Sequence, residues 1–472
     1  MELWVGCSLL VYLIIMIALG RYAQSRVNTE EDYLVAGRRL PLWLAWGTLL
    51  ATWFGAATVL GASDAARDEG MRGTILDPFA SGVSLIVAGV FFAKPLWNRK
   101  LLTTGDLFAQ AYGPKTEFIS SLVQAAGYVP WIAAQYIALG TLLNHYFPIS
   151  ASTGIFVAAA FVLFLTMSGG MWSVTLTDTL QIILVLISLI VLFAVLMSQF
   201  GDGSVADGFR HAWEVTPREH RTLLPEAGVI AMAFWVGTWM NGVLGNLPGQ
   251  DLMQRVFASN SARTAQQACV LAGVIYLFFG LLPVWIGLGS RILLPDHDGG
   301  GILFALSDAL LSTPMTCLFV VSLISILVST CTSALLSPSA LLAHNLLGRL
   351  NWWKSSKLAI DRWSVVAVTA VSLPFAFFGQ EILDLLDVAF EIALVGLFVP
   401  FTMGLFGRPK GELTGLLSVG LGTGIWLIHR GYPWPPDSLP TMIPTELTGT
   451  FSSLVGYVLG QRLAKNQSFS ST

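Results

Sequence analysis

Apolar stretches of about 18 or more residues recur from one end of the chain to the other, each long enough to cross about 30 Å of hydrocarbon. That layer holds no water for free N–H and C=O groups, so such segments must be helices that bond their own backbone. Apolar windows read against loop signals predict spans at 3–23, 42–66, 73–98, 117–146, 150–168, 170–199, 227–256, 265–291, 315–346, 360–379, 382–406, 411–429 and 447–463. The expectation is an all-α polytopic membrane protein of about 13 transmembrane helices in one domain. Only 11% of residues are charged and 54% are hydrophobic, whereas soluble domains carry roughly 25% charged residues. A soluble fold is excluded, and a net charge of −3 without basic or acidic blocks gives no footing for nucleic acid.

The first apolar run, Leu3 to Leu19, is followed by Arg21 and Arg26 rather than a small-residue cleavage site, so it reads as a retained span. Cys7, Cys269, Cys317 and Cys331 all fall in apolar stretches, too scattered for a disulfide framework or a zinc site. Of 25 Lys and Arg residues, 18 fall at the ends or loops of one side, Arg255, Arg349, Lys354 and Lys465 among them. The positive-inside rule then places the C-terminus in the cytoplasm, the N-terminus outside, and the long loop Gly201 to Pro225 outside.

Two spans are interrupted. Gly55 sits mid-span in Ala51-Thr52-Trp53-Phe54-Gly55-Ala56-Ala57, and the seventh span contains Gly242-Val243-Leu244-Gly245-Asn246-Leu247-Pro248-Gly249. Glycine and proline both disfavour a continuous helix. With the leader span 3–23 set aside, these are corresponding members of a first repeat, 42–199, and a second repeat, 227–406, followed by trailing helices over 411–463. Paired broken helices point to a transporter with inverted repeats and a midplane site.

The ninth span carries Ser322, Ser325, Ser329, Thr330, Thr332, Ser333, Ser337 and Ser339. These hydroxyls either back-bond to their own helix or line a cation site with carbonyls freed from a broken neighbour. A carboxylate at membrane depth costs at least about 2.5–3.5 kcal/mol and marks function by default. Asp178 is the clearest. Asp77 precedes Pro78, where a helix N-cap is the structural alternative. Asp384, Asp387 and Glu391 step along the eleventh span. All six histidines lie at span ends or in loops and no phosphate-cradling loop is present, so an embedded enzyme or coupling to ATP is not expected.

Ala36-Gly37-Arg38, Ala51-Thr52-Trp53-Phe54-Gly55 with Gly61, Gly169-Gly170-Met171-Trp172 followed by Thr177-Asp178 and Gln181, Gln254-Arg255, and Ser329-Thr330 with Thr332-Ser333 follow one another in an order that resembles the sodium:solute symporter family, over residues 30 to 410. The resemblance implies a LeuT-type fold of five plus five inverted helices with a leader and two trailing helices. It implies a Na⁺ site built from the carbonyls of Ala51, Phe54 and Ile326 and the hydroxyls of Ser329 and Thr330, with Asp178 on the ion release path. Ala51-Thr52-Trp53, Phe91-Phe92-Ala93-Lys94-Pro95, Trp131 and Gln250 through Arg255 are similar to the choline carriers of the family. Trp53 and Trp131 would then be two walls of an aromatic cage, while Ser81 and Gly249 stand where that branch has further aromatics. Asp77 offers a replacement anchor for a cation.

The expected activity is symport of Na⁺ with a small polar organic solute, choline-like or otherwise cationic or zwitterionic, through a bilayer, the plasma (inner) membrane. The expected solute site comprises Trp53, Ala57, Asp77, Trp131, Asn241, Asn246 and Asp387. Proton coupling through Asp77, Asp178 or Glu391 is the alternative within this class. A non-transporting receptor is the alternative outside it, although only residues 464–472 follow the last span.

Overall fold

The computed structural model describes residues 2–225, 227–297, 300–348, 357–377, 382–435 and 438–464. Arg349, Lys354 and Lys465 of the orientation count, and the last two residues of the span expected at 360–379, lie outside these. Among the described residues the chain is helical, and its sole extended pairing is a parallel bridge between Leu40 and Ser259.

The chain enters through α1 (Glu2–Gln24) and the short α2 (Glu30–Val35). The latter is started by a capping box in which Thr29 Oγ1 accepts from the Asp32 N–H and the Asp32 carboxylate accepts from the Thr29 N–H. Next come α3 (Leu42–Trp53) and α4 (Ala62–Glu69), joined through an irregular stretch and a wide turn, then α5 (Ser81–Val87) and α6 (Ala93–Asn98), joined by another wide turn. The short α7 (Thr104–Tyr112) leads to α8 (Pro114–Tyr146). The helical run α9 (Ala151–Phe200) is two helices meeting at Gly170, whose φ of 50° and ψ of −141° break the path where the sequence separates spans 150–168 and 170–199. A Cβ at Gly170 would lie 2.5 Å from the Tyr33 carbonyl, so the corner requires glycine on both conformational and steric grounds.

The loop expected outside contains an amphipathic helix, α10 (Val205–Val215), rather than bare coil. The second half of the chain follows with α11 (Val229–Met240), α12 (Gln250–Ala258), α13 (Ala262–Leu293), α14 (Ile302–Leu310), α15 (Thr313–Leu341) and α16 (Lys357–Phe375). It ends with α17 (Ile382–Ala393), α18 (Val399–Phe406), α19 (Glu412–Gly431) and α20 (Thr445–Leu463). Among the described residues, seven helical segments are long and apolar enough to cross a membrane, two of them, Ala57–Asn98 and Ala151–Phe200, containing a break. Several others are shortened by breaks, and those around Gly55, Asp77 and Asn246 contribute residues to the site described below.

The centre of the bundle is α15, buried along most of its length against α9, α8 and α3. Its hydroxyls divide between the two roles open to them. Ser322, Thr332, Ser337 and Ser339 donate to carbonyls of their own helix at 2.6–2.9 Å. Ser329 and Thr330 reach across to neighbouring helices instead. Helices α19 and α20 pack on each other at the edge of this core.

Candidate ion and solute site

The site begins with a break in the helix ladder. Phe54 N–H still bonds to the Leu50 carbonyl at 2.9 Å, but Phe54 leaves helical geometry (φ −78°, ψ 66°) and Gly55 N–H turns to the Trp53 carbonyl at 2.9 Å. The Ala51 carbonyl thereby loses the N–H that helix continuation would have supplied. Thr330 of α15 stands beside it, its Oγ1 3.2 Å from the Ala51 oxygen. Gly55 lets the helices approach, since a Cβ there would fall 2.8 Å from the Thr330 methyl. Ile326 is buried one turn before Thr330 on the same helix. A released carbonyl beside neutral hydroxyls is a hard-oxygen donor set suited to a small monovalent cation.

Ser329 donates to the Asp178 carboxylate, whose other oxygen accepts from Thr48 Oγ1 at 2.5 Å. Asp178 is fully buried and thus touches the hydroxyl stripe directly. Arg255 Nη2 lies 3.8 Å from it and donates to Ser333 Oγ at 2.6 Å, while Nη1 donates to the Asp251 carbonyl at 2.8 Å. This corrects one sequence-based expectation. Arg255, counted there among the loop cations that set orientation, is 0% exposed inside the bundle.

Beside this centre lies a cavity of about 300 Å³ bordered by Trp53, Ala57, Asp77, Trp131 and Asn246. Ser81, Gln135, Tyr276 and Phe390 also line it. The Asp77 carboxylate accepts from Thr58 Oγ1 at 3.0 Å and from the Tyr276 hydroxyl at 2.6 Å. Asp77 is therefore held by side chains of two other segments. Gln135 Oε1 accepts from Ala56 N–H at 3.2 Å, leaving its buried Nε2 unpartnered as a free donor. Positions 81 and 249 contribute no aromatic ring. Tyr276 of α13 stands edge-on to Trp53 at 6.4 Å, and Tyr128 stacks on Trp131 within α8 at 5.6 Å, so α13 and α8 add aromatic surface to that of Trp53 and Phe390.

With this geometry in place, comparison with known proteins is decisive for the family. The sodium:solute symporter family model matches residues 33–417. The chain belongs to that family. Its relatives include the high-affinity choline transporter 1 of Drosophila melanogaster, 29% identical over 280 residues, which are 59% of this chain and 43% of the relative. The human high affinity choline transporter 1 is 26% identical over 289 residues, covering 59% of this chain and 49% of the relative. The chain thus spans about half the length of these curated relatives. An uncharacterized symporter of Bacillus subtilis aligns over 93% of this chain and 91% of its own length at 22% identity. Among solved structures, a Na⁺-coupled sialic acid symporter superimposes with a TM-score of 0.82 at 17% identity, covering 98% of this chain and 99% of that one. The fold is that of the LeuT-type transporters, and the chain is an integral membrane protein of a transporter family, not an enzyme.

Within this symporter fold the remaining expected residues lie to one side. Asn241 Nδ2 donates to Asp387 Oδ1 at 2.8 Å, tying the second broken helix to α17 outside the cavity lining. Glu391 is paired with Arg430 and accepts from Thr445, which anchors the trailing helices. Sequence reasoning missed Asp251, Arg255, Tyr128, Gln135 and Tyr276. The signal for Asp251 was available, because it is a carboxylate inside a predicted span, the same criterion that singled out Asp178.

Proposed function

We propose that the chain is a secondary active symporter that couples inward Na⁺ movement to uptake of a small polar organic solute by alternating access, with cationic or zwitterionic solutes favoured. The observation that carries this reading is the released Ala51 carbonyl against Thr330, beside a cavity with aromatic walls and a buried carboxylate. Sodium would be held by the carbonyls of Ala51, Phe54 and Ile326 and the hydroxyls of Ser329 and Thr330. These ligands belong to two helices, so bound Na⁺ favours the state in which α3 and α15 touch and thereby preshapes the cavity. Solute then lies between Trp53, Trp131 and Asp77. One Na⁺ moving inward contributes about 2.3 kcal/mol per 100 mV of membrane potential. Asp178 draws the ion from Ser329 toward the basic end of the bundle, where it is released.

The test is thermal stabilisation of the purified protein across choline, betaine, proline, sugars, monocarboxylates and pantothenate, each in Na⁺ or K⁺. A ligand at 100 times its Kd stabilises by about 2.7 kcal/mol. Stabilisation that requires Na⁺ supports the reading, and equal stabilisation in K⁺ contradicts it. The contact between Asp178 and Ser329 also suits proton coupling. That second reading predicts solute uptake driven by a pH gradient alone and surviving in Thr330→Ala.

A further inference from the structure

A second, narrow chamber adjoins the solute cavity, and Trp131, Asn246 and Phe390 border both. Its own walls include Gln124, Tyr128 and Asp251. On α8 the order Gln124, Tyr128, Trp131 runs back toward Lys115, so this chamber lies nearer the basic end by a few residues at about 1.5 Å each. Asp251 links the two spaces. Its carboxylate accepts from Trp53 Nε1 at 3.1 Å and from the Tyr128 hydroxyl at 2.5 Å. Trp53 is thus a wall of the outer cavity tethered by a carboxylate of the inner one.

The charges give this arrangement a direction. Asp77, Asp178 and Asp251 are at most 5% exposed, and the fully buried Arg255 lies 3.8 Å from the Asp178 carboxylate and donates to the Asp251 backbone carbonyl. Three carboxylates in a desolvated core favour a cationic over an anionic occupant, because a cation that pairs with one of them offsets the cost of its charge. Resting on the symport reading above, we infer that the inner chamber is a second solute subsite that receives an organic ammonium head passing inward, with Asp251 as its anchor and Tyr128 and Trp131 as aromatic walls. The head leaves Asp77, displaces Trp53 from Asp251, and is held by the Asp251 carboxylate and the stacked ring faces, both of which attract a desolvated cation. An anion meets repulsion at both stations, and a neutral solute finds no charge to replace the tether.

The experiment uses the full chain in proteoliposomes with choline and tetramethylammonium as probes, measuring Na⁺-dependent external binding and maximal uptake separately. For Asp251→Asn, maximal uptake falls about tenfold or more, the scale of one lost charged contact, and external binding falls by clearly less, because Asp251 reaches the outer site only through Trp53. Tyr128→Trp fills the chamber and gives the same split, which keeps the test valid if Asp251→Asn folds poorly. Asp251→Glu restores part of the uptake. Wild-type maximal uptake in either Asp251→Asn or Tyr128→Trp overturns the relay and leaves the symport reading intact. Equal loss of binding and uptake in Asp251→Asn overturns it as well, because Asp251 would then serve the outer site. A wild-type protein that binds neither probe in Na⁺ removes the cation preference itself, and the relay with it.

Discussion

At the residue scale, the account rests on which polar atoms the membrane core leaves for a cargo ion. Thr330→Ala removes the hydroxyl beside the Ala51 carbonyl, so Na⁺ affinity in uptake assays should fall about tenfold, the scale of one polar ligand. Replacing Arg255 by Met should be far more damaging. It strips the countercharge from Asp178 and the donor from the Asp251 backbone carbonyl at once, and breaking a buried pair costs about 3–5 kcal/mol, visible as a Tm fall of several degrees in detergent. Gly55, Ser329 and Asp178 stood out in the sequence because each breaks a simple rule, a glycine in mid-span or a polar group in an apolar run, whereas Ala51 entered only through the family resemblance. Arg255 was not. A cation near the end of a span looks like a loop residue, and only its packing against Ser333 and Asp178 reveals it as internal.

At the element scale, the breaks do what intact helices cannot. An unbroken α3 would spend the Ala51 carbonyl on its own ladder, and Gly55 is the residue that both ends the ladder and admits Thr330. Gly55→Ala would press on Thr330, so it should weaken Na⁺ dependence more than it lowers Tm. Gly170→Ala belongs to a different class. Its positive φ and the nearby Tyr33 carbonyl make it a folding lesion costing about 1–3 kcal/mol from backbone strain alone, read as reduced Tm with unchanged Na⁺ dependence in the surviving protein. Breaks carried by glycine and proline could be read from sequence. The wide turns at 88–92, 342–347 and 394–398 did not stand out, because a single Gly89 or Gly396, or His344 and Asn345 near a span end, is ordinary in membrane helices.

At the scale of the whole molecule, the basic end is fastened by a polar network joining distant parts of the chain. His344 bridges Glu30, at 2.7 Å, and Asp106, at 3.1 Å, and Lys357 bonds to Glu30 at 2.7 Å. The His344 hydrogen bond holds the Glu30 carboxyl below its usual range. Burial pushes Asp106 up, but the His344 hydrogen bond and charge outweigh it and leave its pKa lowered too. A depressed carboxyl contributes stability above its unfolded pKa of about 4, and that stability is lost as pH falls below it. Thermal unfolding followed from pH 7 to pH 3 should therefore show a drop below about pH 4 that is smaller in Glu30→Gln.

The most direct measurement of the coupling itself is ²²Na⁺ uptake into proteoliposomes with and without external choline, for wild type and Thr330→Ala. Choline should accelerate Na⁺ entry in wild type and have little effect in the variant. Choline entry at the same rate in K⁺ as in Na⁺, with no choline-dependent Na⁺ flux, would contradict the account.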